Sequence, residues 1–382
     1  MSGVLSRRLV AIDALRGLVM LLMLLDHVRE TFFLHRQVGD PMDVTTTEPA
    51  LFIGRTLAHL CAPVFVFLTG LSAALYWQKT SSLKKTAEFL FKRGLVLILL
   101  EITLVNFAWT FQFPPSVVYL QVIWAIGLSM VALSALIWLP AGVLLPLAVV
   151  IIAGHNLLDG IHAAPGSFWT IPWAILHDRG WIELGDAMRV RTSYPVLPWI
   201  GVISLGFLAG RFYRAEITTH QRQRLLAMTG VAALAAFVVL RLINGYGEKP
   251  WVSGENSVQT VMSFFNITKY PPSLMFLLLT LSLGLLLLAL FERFQDKQLL
   301  VWIGLFGAAP MFFYLLHLYV LKALYLMAVA IWGLNHGEYF GFDTVWQVWL
   351  GTIALAAALV VPVRRFAAFK ARRRDITWLK YF

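Results

Sequence analysis

Arg16 and His27 are the residues of this chain best suited to chemistry, because each is an ionisable group in a stretch that is otherwise apolar. Eleven residues separate them, about three helical turns, so a helix would place both on one face with a rise of roughly 16 Å between them. A guanidinium holds the anionic arm of a phosphorylated or thioester donor through charge-assisted hydrogen bonds, and a neutral imidazole removes a proton from an acceptor. The pair suits a reaction whose donor arrives at one side of a membrane while the acceptor waits at the other, both reached through one passage. Asp13 lies one turn below Arg16 and can pair with it at i,i+3. Asp26 adjoins His27 in sequence but points about 100° away, whereas Glu30 at i+3 is better placed. The plainer alternative is helix–helix glue for Arg16 with Asp13 and a water-facing interfacial His27.

Further ionisable residues extend the set. Arg29, Arg55 and His59 are candidates for holding the acceptor near His27, or else boundary residues in the headgroup region. Glu101 has no ionisable neighbour in sequence, and Lys322 is a candidate partner for it in an ion pair. Tyr314 and His317 share a helix face at i,i+3, where a satisfied core histidine competes with an acceptor-binding one. Lys269 and Tyr270 begin a helix at Lys269-Tyr-Pro-Pro-Ser273, where proline suits the first turn, and are candidates for lining the acceptor mouth. A secondary transporter would use Arg16, Glu101 and Lys322 as a relay, but no repeat with matching broken helices is evident. A membrane cytochrome would use His27, His59 and His317 as axial ligands. Walker, HExxH, GxSxG and dinucleotide signatures are absent. The lone cysteine, Cys61, excludes an intrachain disulfide and a cysteine-based cluster, and no metal is expected.

The elements that must position these residues follow from composition. The 382 residues are 59% hydrophobic and 13% charged with a mean hydropathy of +0.75, about half the charge that a soluble surface requires. Spanning-length apolar runs fall near 9–27, 56–77, 94–112, 117–138, 140–154, 195–212, 225–243, 272–291, 301–332 and 345–363. An all-α polytopic membrane protein of about ten transmembrane helices results, with an uncleaved first helix and with Pro310 dividing the ninth run into a short lead-in and a span. Basic residues gather in alternate loops: Arg7 and Arg8; Lys79 to Arg93; Arg211 to Arg224; and Arg364 to Lys380. The positive-inside rule then puts both termini in the cytoplasm, with loops 28–55, 155–194, 244–271 and 333–344 outside. The net charge of +11 thereby serves orientation and contact with anionic lipid, and nucleic acid is not an expected partner. The organisation is a single domain over 1–382, a helical bundle over about 8–363 followed by a basic cytoplasmic tail over 364–382.

Five segments together carry a resemblance. Asp13-Ala-Leu-Arg-Gly17 with Leu25-Asp-His-Val-Arg29, Cys61-Ala-Pro-Val-Phe-Val-Phe-Leu-Thr-Gly70, Tyr194-Pro-Val-Leu-Pro-Trp-Ile-Gly201, Lys269-Tyr-Pro-Pro-Ser-Leu274 and Phe312-Phe-Tyr-Leu-Leu-His-Leu318 resemble bacterial members of the heparan-α-glucosaminide N-acetyltransferase-like family. The Arg16–His27 spacing is also similar to the Arg-x10-His signature of the wider transmembrane acyltransferase superfamily, in which the histidine is catalytic and the arginine lies on the acyl-CoA path. The resemblance implies transfer of an acetyl group from cytoplasmic acetyl-CoA to a hydroxyl or amine of a glycan on the far side of a bacterial inner membrane. Lysosomal members are similar around Asp13-to-Gly17 but have Asn where His27 stands and take their catalytic histidine from the following outer loop. That offset lands on Val38 here, and His35 is the nearest loop histidine. The expected catalytic set is therefore His27 and Asp26 with His35 as fallback, and Arg16 and Asp13 on the donor side. Arg29, Arg55, His59, Lys269, Tyr270 and His317 are expected on the acceptor side. Expected partners are lipid, acyl-CoA, the glycan and a second copy of the chain as a homodimer.

Overall fold

A computed structural model describes residues 10–373 except 165, 186 and 187, together with 375, 376 and 379. Arg7, Arg8, Arg374 and Lys380, which belong to the basic clusters at the two ends, lie outside the described residues. The chain is mostly helical. Its helices are α1 (Val10–Phe32), α2 (Pro49–Ala58), α3 (Cys61–Thr80), α4 (Leu83–Leu100), α5 (Asn106–Thr110), α6 (Val122–Leu136), α7 (Ala141–Gly154), α8 (Thr170–Leu176), α9 (Leu197–Ala209), α10 (Thr219–Ile243), α11 (Ser257–Phe265), α12 (Leu274–Arg293), α13 (Gln298–Gly307), α14 (Pro310–Trp332) and α15 (Val345–Arg372). Three short strands accompany them: β1 (Val117–Leu120), β2 (Trp181–Leu184) and β3 (Met188–Thr192).

Local chemistry explains most boundaries. Thr218 with Gln221 and Thr344 with Gln347 form capping boxes that open α10 and α15, and Pro310 occupies the first turn of α14. Asn244, left-handed at φ 57°, closes α10, and Gly333, at φ 72° and ψ −169° where a side chain is not tolerated, closes α14. Among the described residues six helical segments are long and apolar enough to cross a membrane: Pro49–Thr80, Ala141–Leu158, Thr219–Ile243, Leu274–Arg293, Pro310–Trp332 and Val345–Arg372. Three more, Val122–Leu136, Leu197–Tyr213 and Gln298–Gly307, are apolar but shorter. At 23 residues α1 is long enough to span, yet it carries Asp13, Arg16, Asp26, Arg29 and Glu30.

Two expected helices differ. The run near 94–112 passes from α4 through a wide π turn at Glu101–Val105 and stops at Thr110, with Phe111 left-handed at φ 53°. The run near 117–138 opens as a strand: Val117-Val-Tyr-Leu120 pairs in parallel with Arg189–Thr192, and the helix starts only at Val122. A short β-branched and aromatic run reads either way until a partner strand satisfies its backbone.

Contacts group the chain into two compact units. The first comprises Ala62–Pro250 and Ile267–Ala289. In it α4 packs on α6, and α9 packs on both α6 and α7. The sheet, ordered β1-β3-β2 with β2 antiparallel to β3, covers a small core of Val118, Leu120, Ala174, Ile182 and Val190. Helix crossings here use glycine. A Cβ on Gly70 of α3 would strike the Ile203 carbonyl of α9, and one on Gly206 would strike Phe67, so the two backbones are in direct contact.

The second unit comprises the described residues of Leu9–Cys61, Trp251–Asn266 and Leu290–Phe382. There α1 is the hub, packed on α2, α13, α14 and α15. It meets α13 through another reciprocal pair: a Cβ on Gly17 would lie on the Ile303 carbonyl, and one on Gly307 would lie on the Asp13 carbonyl. A side chain at Gly17 must therefore push α1 away from the helix that seats its charged lower half. Overpacking of this kind costs about 1–3 kcal/mol or more. Gly17→Val should lower the thermal midpoint of the purified protein clearly, and an unchanged midpoint in differential scanning fluorimetry would disprove the contact.

Candidate active site

On the upper half of α1 a carboxylate, an imidazole and a guanidinium follow one another within four residues. Helical spacing sends Asp26 and His27 to different neighbours. Asp26 is buried, and its Oδ1 accepts hydrogen bonds from Nε and Nη2 of Arg29, one turn on, both at 3.0 Å. Its Oδ2 accepts from Nη1 of Arg55 on α2 at 2.6 Å. Glu30 adds a second carboxylate, with Oε1 at 3.1 Å from Arg29 and 3.9 Å from Arg55. Two positive and two negative groups thus balance in a nearly dry site, the condition under which buried charge is tolerated. The Arg29 Nη1 is buried and makes no hydrogen bond within the protein. A small cleft lined by Asp26, Arg29, Leu51, Gly54, Val348 and Trp349 adjoins it. That cleft reaches the arginine cluster and is lined by neither Arg16 nor His27.

His27 turns to α14. Its Nδ1 lies 2.7 Å from Nε2 of His317, and the ring centroids are 5.0 Å apart with planes 19° from parallel, the geometry of an in-plane hydrogen bond. His317 is fully buried, and its Nδ1 lies 2.7 Å from the carbonyl oxygen of Phe313, which can only accept. Protons are placed by that carbonyl. In the neutral pair His317 Nδ1 donates to Phe313, its Nε2 accepts from His27 Nδ1, and His27 Nε2 is left as the acceptor nitrogen of a half-buried ring. Tyr314 presents its ring edge-on to His27 at 6.0 Å.

The remaining expected residues fall in other places. Arg16 pairs with Asp13 at 3.4 Å in a partly exposed contact on the α13 side of α1. His59 is buried at the end of α2, where its backbone N–H bonds the Arg55 carbonyl at 3.2 Å. His35 lies beyond α1 in a short turn and stacks face to face on His336 at 3.7 Å, with His336 Nε2 3.2 Å from Asp343. Burial, His336 and Arg36 hold the His35 pKa below 6.5 against the opposing pull of Asp343. In the first unit, Lys269 is buried with its ammonium over the rings of Tyr270 (5.1 Å) and Tyr194 (5.9 Å), whose hydroxyls lie 3.2 Å apart. Glu248 holds that turn, accepting from Thr268 N at 2.6 Å, Thr268 Oγ1 at 2.7 Å and Ser273 Oγ at 2.6 Å. Glu101 accepts from the Trp124 amide at 2.9 Å, so its carboxylate caps the first turn of α6. Sequence reasoning missed Glu248, His336 and Asp343, which carry no local signature and become visible only when distant loops meet.

A family model described as heparan-alpha-glucosaminide N-acetyltransferase, catalytic, matches residues 8–241, more than half of the chain. The matched part includes α1 with Arg16 and His27 and ends before Lys269 and His317. No curated protein matches.

Two outcomes test this geometry. Arg55→Ala leaves Asp26 short of a buried counter-charge and should cost on the order of 3–5 kcal/mol, whereas Arg16→Ala at its looser, wetter pair should cost about 1 kcal/mol or less. Equal losses in denaturant titrations would contradict the assignment. The second concerns pH. A base whose folded pKa is depressed stabilises the fold fully above its unfolded value of about 6.5 and loses that contribution as pH falls towards the lower folded value. Protection factors against hydrogen exchange in residues 33–36 and 335–343 should therefore fall below pH 6.5 in the wild type and much less in His35→Gln.

Proposed function

The chain belongs to the heparan-α-glucosaminide N-acetyltransferase family, and from that membership we propose that it transfers an acetyl group from cytoplasmic acetyl-CoA to a hydroxyl or amine of an extracytoplasmic glycan. The family and the six spanning-length helices make it a multi-pass membrane protein with acetyltransferase ancestry. In our reading α1 and the shorter apolar helices complete a bundle of about ten spans in a bacterial inner membrane, as one functional domain with both termini in the cytoplasm.

The observation that carries the proposal is the proton chain Phe313–His317–His27. A general base needs a lone pair directed at the acceptor, and a hydrogen bond on the opposite ring nitrogen fixes which nitrogen offers it. In the reaction, His27 Nε2 takes the proton of the acceptor hydroxyl or amine as that atom attacks the thioester carbonyl. The carbon–sulfur bond then breaks, and the CoA thiolate leaves with the proton returned by the imidazolium. His317 shares the imidazolium charge through the 2.7 Å bond and so acts on the base rather than on the substrate.

Arg29 supports acceptor binding through its buried Nη1 beside the cleft, and Arg55 and Asp26 hold that guanidinium in place. His59 is buried at the end of the same α2. Arg16, with Asp13 orienting it, serves the donor from the cytoplasmic half of α1, about three turns below His27. His35, engaged with His336, is the reserve base of this scheme. Lipid surrounds the bundle, and a homodimer is compatible with it.

Purified protein in proteoliposomes given radiolabelled acetyl-CoA and a glucosamine-terminated acceptor tests the scheme. His27→Ala should lower kcat by about 10²- to 10⁴-fold, and His317→Phe by at least tenfold with KM for acetyl-CoA unchanged. Full transfer by His27→Ala sinks the proposal, and loss on His35→Ala alone would move the base to the outer turn.

A further inference from the structure

A second histidine cluster lies where α7 gives way to its outer loop. His155, Asp159 and His177 each bring one ligating atom within 4.8 Å of the other two. His155 is 2% exposed and His177 1%, whereas Asp159 is half exposed. Neither ring nitrogen of His155 has a hydrogen-bond partner in the protein, nor does Nδ1 of His177. A neutral imidazole carries one N–H and one lone pair, and burial of both without partners is costly and rare.

The surroundings orient the ligands. Asn156 Oδ1 accepts from the Leu274 amide at 2.9 Å, which turns Asn156 Nδ2 onto Asp159 Oδ2 at 2.9 Å. The other oxygen, Oδ1, is thereby presented 3.4 Å from His177 Nε2. The His155 carbonyl lies 2.9 Å from the same nitrogen, and Trp173 stacks on the His177 ring at 5.3 Å. The carbonyl can only accept, so His177 Nε2 donates to it and Nδ1 keeps the lone pair; a backbone carbonyl on the other ring nitrogen and an amide on the carboxylate are the outer-shell pattern of metal ligands.

We propose that His155, Asp159 and His177 bind a first-row divalent transition metal, with Zn²⁺ the best match to two imidazoles and one carboxylate. Ligand bonds of about 2.0–2.2 Å set tetrahedral ligand atoms roughly 3.3–3.6 Å apart, so the trio closes by up to about 1.5 Å on binding, through rotation of the half-exposed Asp159 and of the two imidazole rings. The ion ties the end of α7 to the end of α8 and so pins the loop that carries β2 and β3. The role is structural: it takes no part in acetyl transfer and stands or falls independently of the proposed reaction.

The test uses the full chain, purified with its affinity tag removed, stripped with EDTA and dialysed against Zn²⁺ or Co²⁺. Inductively coupled plasma mass spectrometry should find about one ion per chain, and Co²⁺ should quench Trp fluorescence, with the quench lost in Trp173→Phe. Asp159→Asn, at a half-exposed position that leaves the fold intact, and His177→Gln should each weaken binding at least tenfold, while His336→Gln retains it. Retention of no ion by the wild type, or equal retention by Asp159→Asn and His177→Gln, overturns the site.

Discussion

A buried carboxylate on an otherwise apolar helix must be neutralised where it stands, and Asp26 is neutralised by two guanidiniums at once. Arg29 comes from the next turn of its own helix and Arg55 from α2, so the charge balance also fixes how α2 lies against α1. Removal of either arginine would leave a buried ion without adequate compensation, so the arrangement is all-or-nothing rather than graded. The consequence reaches the neighbouring residue. With Asp26 committed to α2, the roughly 100° step of the helix turns His27 towards α14, where His317 meets it. One electrostatic constraint thus separates a carboxylate bound to two arginines from an imidazole bound to a histidine, two side chains that sequence adjacency would have coupled.

How much of this the sequence disclosed depends on the range of the interactions. Pairs one turn apart were legible, as Asp13 with Arg16 shows, and so was the break before Pro310. The family motif on α1 was legible because it is contiguous. The contacts that define the site span 29 residues for Asp26–Arg55 and 290 for His27–His317, and no periodicity encodes such distances. Glu30 illustrates the limit: helical spacing made it a reasonable partner for His27, yet the arginine pair claims its carboxylate. The strand at Val117–Leu120 was hidden for a related reason, since its apolar residues suit a span equally well until β3 arrives beside it.

The two histidine pairs of the second unit show how context divides one residue type between roles. His27 and His317 meet edge to edge, so one proton lies between two nitrogens and each ring defines the tautomer of the other. His35 and His336 meet face to face at 3.7 Å with no such bond across the rings, and burial with neighbouring charge lowers the His35 pKa. The first geometry defines a proton position; the second is a packing contact.

The arginine cluster is also shared rather than paired off. Asp26 accepts from both guanidiniums and Glu30 faces both, so each cation meets two carboxylates and no single contact carries the interaction. The cleft that adjoins Arg29 is walled by Leu51, Val348 and Trp349, and apolar surroundings of this kind strengthen the electrostatic contacts beside them while making an unmatched charge there more costly. The same low polarity that makes burial of Asp26 expensive is therefore what makes its two arginine contacts strong enough to hold α2 against α1.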